Sequence, residues 1–350
     1  MTKAGLAGDP WIDKVVLITG VAGTVGREIL RQLAGRKLRG IVGIDNNESA
    51  LFFLEHDFAD DDHISFALTD IGDGDSLTAL MEGVDLVIHA AGLKHVALCE
   101  RAPRSAIQTN IIGTQNVIQA ALSAGVERVL FTSSDKAVNP TNVMGTSKLM
   151  AERLMTAANA RSRSGRTVFA SSRFGNVLGS RGSVIPLFQQ QIAAGGPVTL
   201  THPRMTRFIM TLSEAVALVM EVVSLAKGGE IFVTKMPVCR IEDLAVTMVE
   251  ELAPRYGHDP QDVSIRIVGP KPGEKYHEEL MNEEEIRRTI ELEQHFVIVP
   301  AFRPNCRRVE YTYPGIRDER PEQPYNSSTA APMSREQLRQ YLRDNRFLDV

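Results

Sequence analysis

The stretch KVVLITGVAGTVGREILRQLAG, Lys14 to Gly35, constrains this chain more than any other. An apolar run ends at Gly20. Gly23 and Gly26 follow, leading into a helical pattern with Val25, Ile29, Leu30 and Leu33 on one face. The run reads as a buried strand, the later part as an amphipathic helix, and the glycines as the turn between them. Glycine permits a tight turn and lets backbone approach a pyrophosphate. The first N–H groups of the helix then face the same anion with a favourable dipole. A glycine triplet alone is weak evidence; its place between a strand and a helix gives it weight.

The alternation continues downstream. RGIVGID (Arg39–Asp45), ISFALTD (Ile64–Asp70), DLVIHAA (Asp85–Ala91), RVLFTSS (Arg128–Ser134) and TVFASSRF (Thr167–Phe174) are further strand-like runs. Helical patterns lie between them, including Ala106–Gly125. This order predicts an α/β fold, a Rossmann-type doubly wound parallel sheet with helices on both faces. Beyond Asn176 the pattern loosens into Gly- and Pro-rich segments, which predicts a smaller C-terminal substrate domain. The expected division assigns residues 1–177 and 206–237 to the dinucleotide domain, and 178–205 and 238–350 to the substrate domain. Ser334 and Gln337 form a capping box that opens a final helix.

In such a fold the glycine turn predicts a dinucleotide. Asp45, at the end of the second strand, accepts from the adenosine ribose hydroxyls and repels a 2′-phosphate, which favours NAD over NADP. The expected cofactor contacts are Gly20, Gly23, Thr24, Val25 and Gly26 at the turn, Asp45 with Asn46, Asp70 with Ile71 at the adenine edge, and Ala90 with Ala91 after the fourth strand. The plainer alternatives are a turn-forming Asp45 before Asn46-Asn47 and an ordinary strand-end turn at Asp70.

Composition excludes other classes. A net charge of −4 over 350 residues, with 43% hydrophobic residues, describes a soluble globular chain with no electrostatic footprint for nucleic acid. No apolar run approaches a membrane span of ~18 residues, and residues 1–14 lack the apolar stretch of a secretory signal. Cys99, Cys239 and Cys306 are widely spaced, with no CxxC pair and no metal pattern. A reduced cytoplasmic setting fits.

SSDKAVNPTNVMGTSK, Ser133 to Lys148, reads as a strand end followed by a helix. A dehydrogenase of this general type places Tyr four residues before the Lys. Here that residue is Met144, which has no proton to exchange. GVAGTVG, HAAGLKHVALCE, TNIIGTQNV, SSDKAVNPTNVMGTSK, SRFGNVLGSRGSVIPLF, PRMTRFIMTLSEAV and GPKPGEKYHEEL together make the chain recognisable. It resembles the extended short-chain dehydrogenase/reductase superfamily. Within it, the chain is similar to the polysaccharide-biosynthesis branch of UDP-N-acetylglucosamine 4,6-dehydratases, from about Val15 to Leu280. Part of that branch likewise carries Met in place of Tyr. Long members carry membrane helices before the catalytic half, whereas this chain looks like a soluble stand-alone form. Departures from the branch are Ser134 for Thr, Gly92 for Ala, and His202-Pro203-Arg204 where an acidic version is common.

The resemblance implies an internal redox elimination on a UDP-linked amino sugar. Hydride leaves C4 for NAD, the C5 proton is removed, the C6 hydroxyl departs as water, and hydride returns to C6. It makes Lys148 the residue that holds the nicotinamide ribose. Lys136 is the expected C5 base, provided that burial and Lys148 lower its pKa. Asp135 is the expected acid for the C6 hydroxyl, and Ser134 can hydrogen-bond the C4 oxygen. C4 deprotonation falls to Asp135, Lys136 or a water held by Ser134. Met144 is expected to be an apolar wall. For the substrate, Lys94 and His95 follow a strand end near the sugar. Arg173 and Arg207 suit a diphosphate, with Asn176 beside the first. Glu274 can accept from nucleotide ribose hydroxyls, and Gly179 and Gly182 suggest a lid. Surplus apolar surface on the Ala106–Gly125 and Met144–Ala160 helices predicts a homo-oligomer. The rival readings are an epimerase or reductase on the same scaffold, and a non-catalytic NAD-binding sensor.

Overall fold

A computed structural model describes residues 9–161, 166–180, 182–302, 309–317 and 321–349; residues 1–8 and Cys306 lie outside them. Six strands come first: β1 (Val15–Thr19), β2 (Gly40–Asp45), β3 (Ile64–Leu68), β4 (Leu86–His89), β5 (Arg128–Ser134) and β6 (Val168–Phe174). They pair in parallel in the order β3-β2-β1-β4-β5-β6. Ile231–Thr234 adds a further parallel strand beside β6, and His295–Ile298 and Thr289–Glu291 complete the sheet antiparallel.

Alternation along a strand sends neighbouring side chains to opposite faces. In β1, Val16 and Ile18 pack with Ile29, Leu30 and Leu33 of the helix Thr24–Ala34 and with Val216 and Val219 of Leu212–Leu225. Leu17 turns the other way, joining Val117 and Ala121 of Thr114–Ala124 and Ala151 and Met155 of Val143–Arg161. The expected parallel sheet with helices on both faces is what forms. The helix expected over Ala106–Gly125 runs through a π-helical turn, Ile107–Gly113, and ends on Gly125 at φ +70°.

A second core joins the helices Val184–Ala193, Ile241–Leu252 and Arg335–Asp344 through Ile185, Phe188, Leu244, Met248, Leu338 and Leu342. Both arms of the Ser334–Gln337 capping box are present, at 2.9 and 3.2 Å. The expected boundary at residue 238 does not hold. Thr289–Glu291 and His295–Ile298 belong to the large sheet, and Leu280, Phe296 and Val297 pack in its core. Thr206–Met210 lies in a small sheet with Val238–Arg240 and Asn176–Val177, outside the large one. These edge strands are too short and too far from their partners in sequence for periodicity to assign them.

Candidate functional site

Strand order reverses between β1 and β4, so the loops leaving these strands diverge and open a crevice at their C-terminal ends. Gly20, at φ +70°, begins the turn; a Cβ there would lie 2.7 Å from the Ala91 backbone. A Cβ on Gly26 would strike the Gly20 carbonyl. The helix Thr24–Ala34 starts on Gly23 with no side-chain cap and no acidic residue in its first turn. Neither a capping side chain nor a carboxylate therefore competes there with an anion for the helix dipole. Asp45 Oδ2 accepts from Ala22 N at 3.0 Å, which ties the glycine turn to the end of β2. Asn46 Nδ2 donates to Asp70 Oδ2 at 2.9 Å. Asp45, Asn46, Asp70, Ile71, Ala90 and Ala91 line one cavity of about 210 Å³. Thr24 and Val25 line the next, of about 520 Å³. The two share Gly20 and Gly23, so the residues present fit a dinucleotide laid across the turn.

Behind the turn, His89 is fully buried between Thr19 Oγ1 at 2.7 Å and Thr114 Oγ1 at 3.0 Å. Burial, reinforced by the charge of Lys148, pushes its pKa down to about 3, so the ring is neutral. Asn110, on the π-helical turn, fixes the loop above it. Its Oδ1 accepts from Leu93 N at 2.7 Å, and its Nδ2 donates to Leu93 O and to Ser147 Oγ. Sequence reading passed over Asn110 and Ser147, although both lie inside quoted stretches.

The central cavity carries Ser134, Asp135 and Lys136 from the end of β5, and Met144 and Lys148 one turn apart on Val143–Arg161. A one-turn 3₁₀ helix, Asp135–Ala137, breaks the strand here and lets adjacent side chains share one wall. Ser134 Oγ donates to Asp135 Oδ1 at 2.6 Å. Met144 is buried against Cys99 and Ala106, with its remaining face on the cavity. Lys148 Nζ donates to the Thr132 carbonyl at 3.2 Å and lies 4.7 Å from the Phe131 ring centre. Burial pushes Lys148 down to about 8, with Glu152 opposing. A Cβ on Gly92 would come within 3.0 Å of Lys148 Nζ and 3.1 Å of Asn110 Oδ1. The small residue at 92 leaves these two side chains their space.

Lys136 differs from the expectation of a lowered pKa. Burial pulls it down, but Asp135, at 3.0 Å, and Glu278, at 3.5 Å, outweigh burial and hold it above the ordinary lysine value. Lys148 is not among the charges that shift it. Glu278 was missed in the sequence, although it lies within GPKPGEKYHEEL.

Arg173, expected at the diphosphate, is instead a structural residue. It is fully buried, and its five N–H groups go to Glu152, Glu285 and the Leu280 carbonyl at 2.7–2.9 Å. No donor remains for a diphosphate. Arg207 lines a third cavity of about 290 Å³, yet its Nη atoms already donate to the carbonyls of Thr206, Lys275 and Tyr276. It clamps the 274–278 segment and is not a free fork. Glu274 lines the same cavity. His95 lines both the central and distal cavities, and Lys94 only the central one. A Cβ on Gly182 would lie 3.1 Å from the His95 ring. Asn176 lines both cavities and leaves Oδ1 buried without a partner, as do Ser183 Oγ and Glu278 Oε2. Buried polar atoms are normally paired. These three unpaired atoms lie just behind the walls of the two adjoining cavities.

Comparison with known proteins gives the family and its relatives. A model of the family described as "Polysaccharide biosynthesis protein" matches residues 16–300. An uncharacterized membrane protein of Methanocaldococcus jannaschii is 48% identical over 96% of this chain and 97% of its own length. Among the described residues no helix is long and apolar enough to cross a membrane. The probable polysaccharide biosynthesis protein EpsC of Bacillus subtilis is 44% identical over 78% of this chain, which spans only 46% of that longer protein. A UDP-glucose 4-epimerase of Rickettsia felis is 36% identical over 95% of this chain and 96% of its own. Among solved structures, Pen from Bacillus thuringiensis superposes with a TM-score of 0.85 at 41% identity, covering 95% of this chain and 98% of its own.

Proposed function

The chain belongs to the polysaccharide biosynthesis protein family, and on that premise we propose that it is an NAD-dependent 4,6-dehydratase of UDP-N-acetylglucosamine. The observation that carries this reading is the wall of the central cavity. Three proton-handling groups, Ser134, Asp135 and Lys136, face an apolar Met144 one turn before Lys148, where an acid–base tyrosine would serve simpler redox chemistry. NAD, when bound, supplies an acceptor and donor of hydride between sugar C4 and C6. The glycine turn and helix N-terminus hold its pyrophosphate, Asp45 accepts from the adenosine ribose, and Lys148 holds the nicotinamide ribose. Lys136 takes the C5 proton, Asp135 governs the proton that leaves with the C6 hydroxyl, and Ser134 binds the C4 oxygen. Glu274 and Asn176 receive the nucleotide end. Leu98, Ile107, Ile112 and Met150 are exposed on the flanking helices, and a homodimer through them is part of this proposal.

The test is product NMR on UDP-N-acetylglucosamine. A 4-keto-6-deoxy sugar, with deuterium entering at C5 in heavy water, is the expected result. The Rickettsia felis relative favours a second reading, epimerisation at C4, which yields a sugar that keeps every oxygen. A bound dinucleotide with no turnover would leave only a sensor.

A further inference from the structure

Glu278 has no part in the reaction just described, yet it lines the third cavity, beside Arg207 and Lys136, with only 3% of its side chain exposed. Oε1 lies 3.5 Å from Lys136 Nζ and 3.7 Å from Arg207 Nε, and Oε2 is buried without any partner. Asp135, the other carboxyl at Lys136, is differently placed. Its Oδ1 accepts from Ser134 Oγ, Lys136 N and Lys136 Nζ, at 2.6, 2.9 and 3.0 Å. Asp135 Oδ2 accepts from Lys136 Nζ as well, at 3.2 Å, so of the two carboxylates at Lys136 it is Glu278 that leaves a buried oxygen without a partner.

The charges around this pair balance. Asp135, Glu274 and Glu278 face Lys136, Arg207 and Lys275, whose Nζ donates to the Val138 carbonyl. His277 turns aside to Thr206 Oγ1, and burial with Arg207 and Arg204 keeps it below the ordinary imidazole value. We infer that Glu278 is the proton partner of Lys136. The Nζ–H bond breaks, a Glu278 O–H bond forms, and the nitrogen keeps its electron pair as the base that faces the sugar. The inference rests on the reading of Lys136 as a base.

Three arguments support it. First, Lys136 is held above the ordinary lysine value, so at pH 7 fewer than about one molecule in a thousand loses that proton to solvent. An internal acceptor frees the transfer from bulk pH, at a cost set by the gap between the two groups. Second, transfer turns an ion pair whose carboxylate is buried into two neutral groups and leaves the total charge unchanged, which relieves the desolvation of Glu278. Burial already holds the Glu278 carboxyl above the usual carboxylate range, with Lys136 pulling against it. Third, the distance suits. The flexible lysine stem closes 3.5 Å to hydrogen-bond length by a small rotation. Glu278 thus acts through Lys136 as a positioning and proton-holding residue.

The experiment uses the full NAD-loaded chain with UDP-N-acetylglucosamine between pH 6 and 10. For Glu278→Gln, kcat at pH 7 falls at least about tenfold. It then climbs toward wild type as pH rises, because Lys136 must now release its proton to water. The wild type stays flat over the lower half of that range, and Glu278→Asp recovers part of the loss. A wild-type rate at pH 7 in Glu278→Gln, or a loss equal at every pH, overturns the inference. If the wild type does not dehydrate this sugar, the proposed function fails. The inference is then decided by peptide-mapped acetylation of Lys136 against pH. Its midpoint falls in Glu278→Gln if the carboxylate faces the ammonium as described, and an unchanged midpoint overturns the pairing. Retention of NAD checks the fold of each variant.

Discussion

Arg173 and Lys136 each stand between two carboxylates, and the two sites are built in opposite ways. At Arg173 every guanidinium N–H is matched, to Glu152, Glu285 and the Leu280 carbonyl, at 2.7–2.9 Å and without solvent. Burial alone would raise Glu285, but Arg173 outweighs it and holds the carboxyl below its usual range. At Lys136 the partners lie at 3.0 and 3.5 Å, one carboxylate oxygen is orphaned, and about a quarter of the lysine remains exposed to the cavity. A closed network has no proton to move and no valence to offer, so it fixes geometry. An open one has both. Arg173 joins β6, the helix of Lys148 and the segment near Glu285; Lys136 faces the cavity that this framework shapes.

The comparison can be broken at its strong end first. Arg173→Met leaves Glu152 and Glu285 buried without a counter-charge, and removing one partner of such a pair costs about 3–5 kcal/mol. The expected outcome is a large loss of thermal stability, read by calorimetry, with activity lost because the fold is lost. A variant that melts like wild type but no longer binds UDP would show Arg173 to be a ligand after all.

At the open end the order of effects reverses. Asp135→Asn keeps the shape and alters the charge beside Lys136, so elimination falls by about 10²–10⁴-fold with a smaller loss of stability than at Arg173, because Glu278 still faces the lysine. Stopped-flow detection of the 4-keto product together with calorimetry separates the two. An Asp135→Asn variant that turns over normally refutes its proton role.

The two cavity lysines sharpen the contrast further. Lys148 titrates near 8 and Lys136 above the ordinary lysine value. Folding lowers the pKa of Lys148, so the unfolded chain binds more protons between about pH 8 and the normal lysine range. Burying Lys148 therefore costs stability below pH 8, and the cost fades as pH rises through that window. Lysine-to-methionine replacement at 148 should flatten this rise in urea titrations made at successive pH values. If the rise persists unchanged in the variant, Lys148 is not its source.

The smallest effect belongs to Met144. As a wall packed on Cys99 and Ala106, it tolerates Met144→Leu at a cost below about 1.5 kcal/mol and with most activity kept. Strong inactivation without unfolding would mean that the thioether itself does something that leucine cannot.

How far these sites were legible depended on range. The glycine turn, Asp45 at the end of β2, and the Met144–Lys148 spacing are local patterns, and these residues line two adjoining cavities. The six leading strands follow for the same reason: each buries alternate residues on two faces, and that period is written in neighbouring positions. Arg173 read as a diphosphate ligand because an arginine leaving a strand end has free donors until something fills them. What fills them is Glu285, 112 residues away. Glu278 looked like one acidic residue in a polar run until the chain brought it against Lys136.

The amino-acid order by itself determined the parallel α/β frame, the dinucleotide turn and the side chains at the end of β5, because hydrophobic period, glycine stereochemistry and helical spacing act within a few residues. Tertiary structure alone decided which charges are consumed and which are left open. Whether a buried charge is neutralised depends on the partner that folding carries to it, and no local pattern encodes that partner.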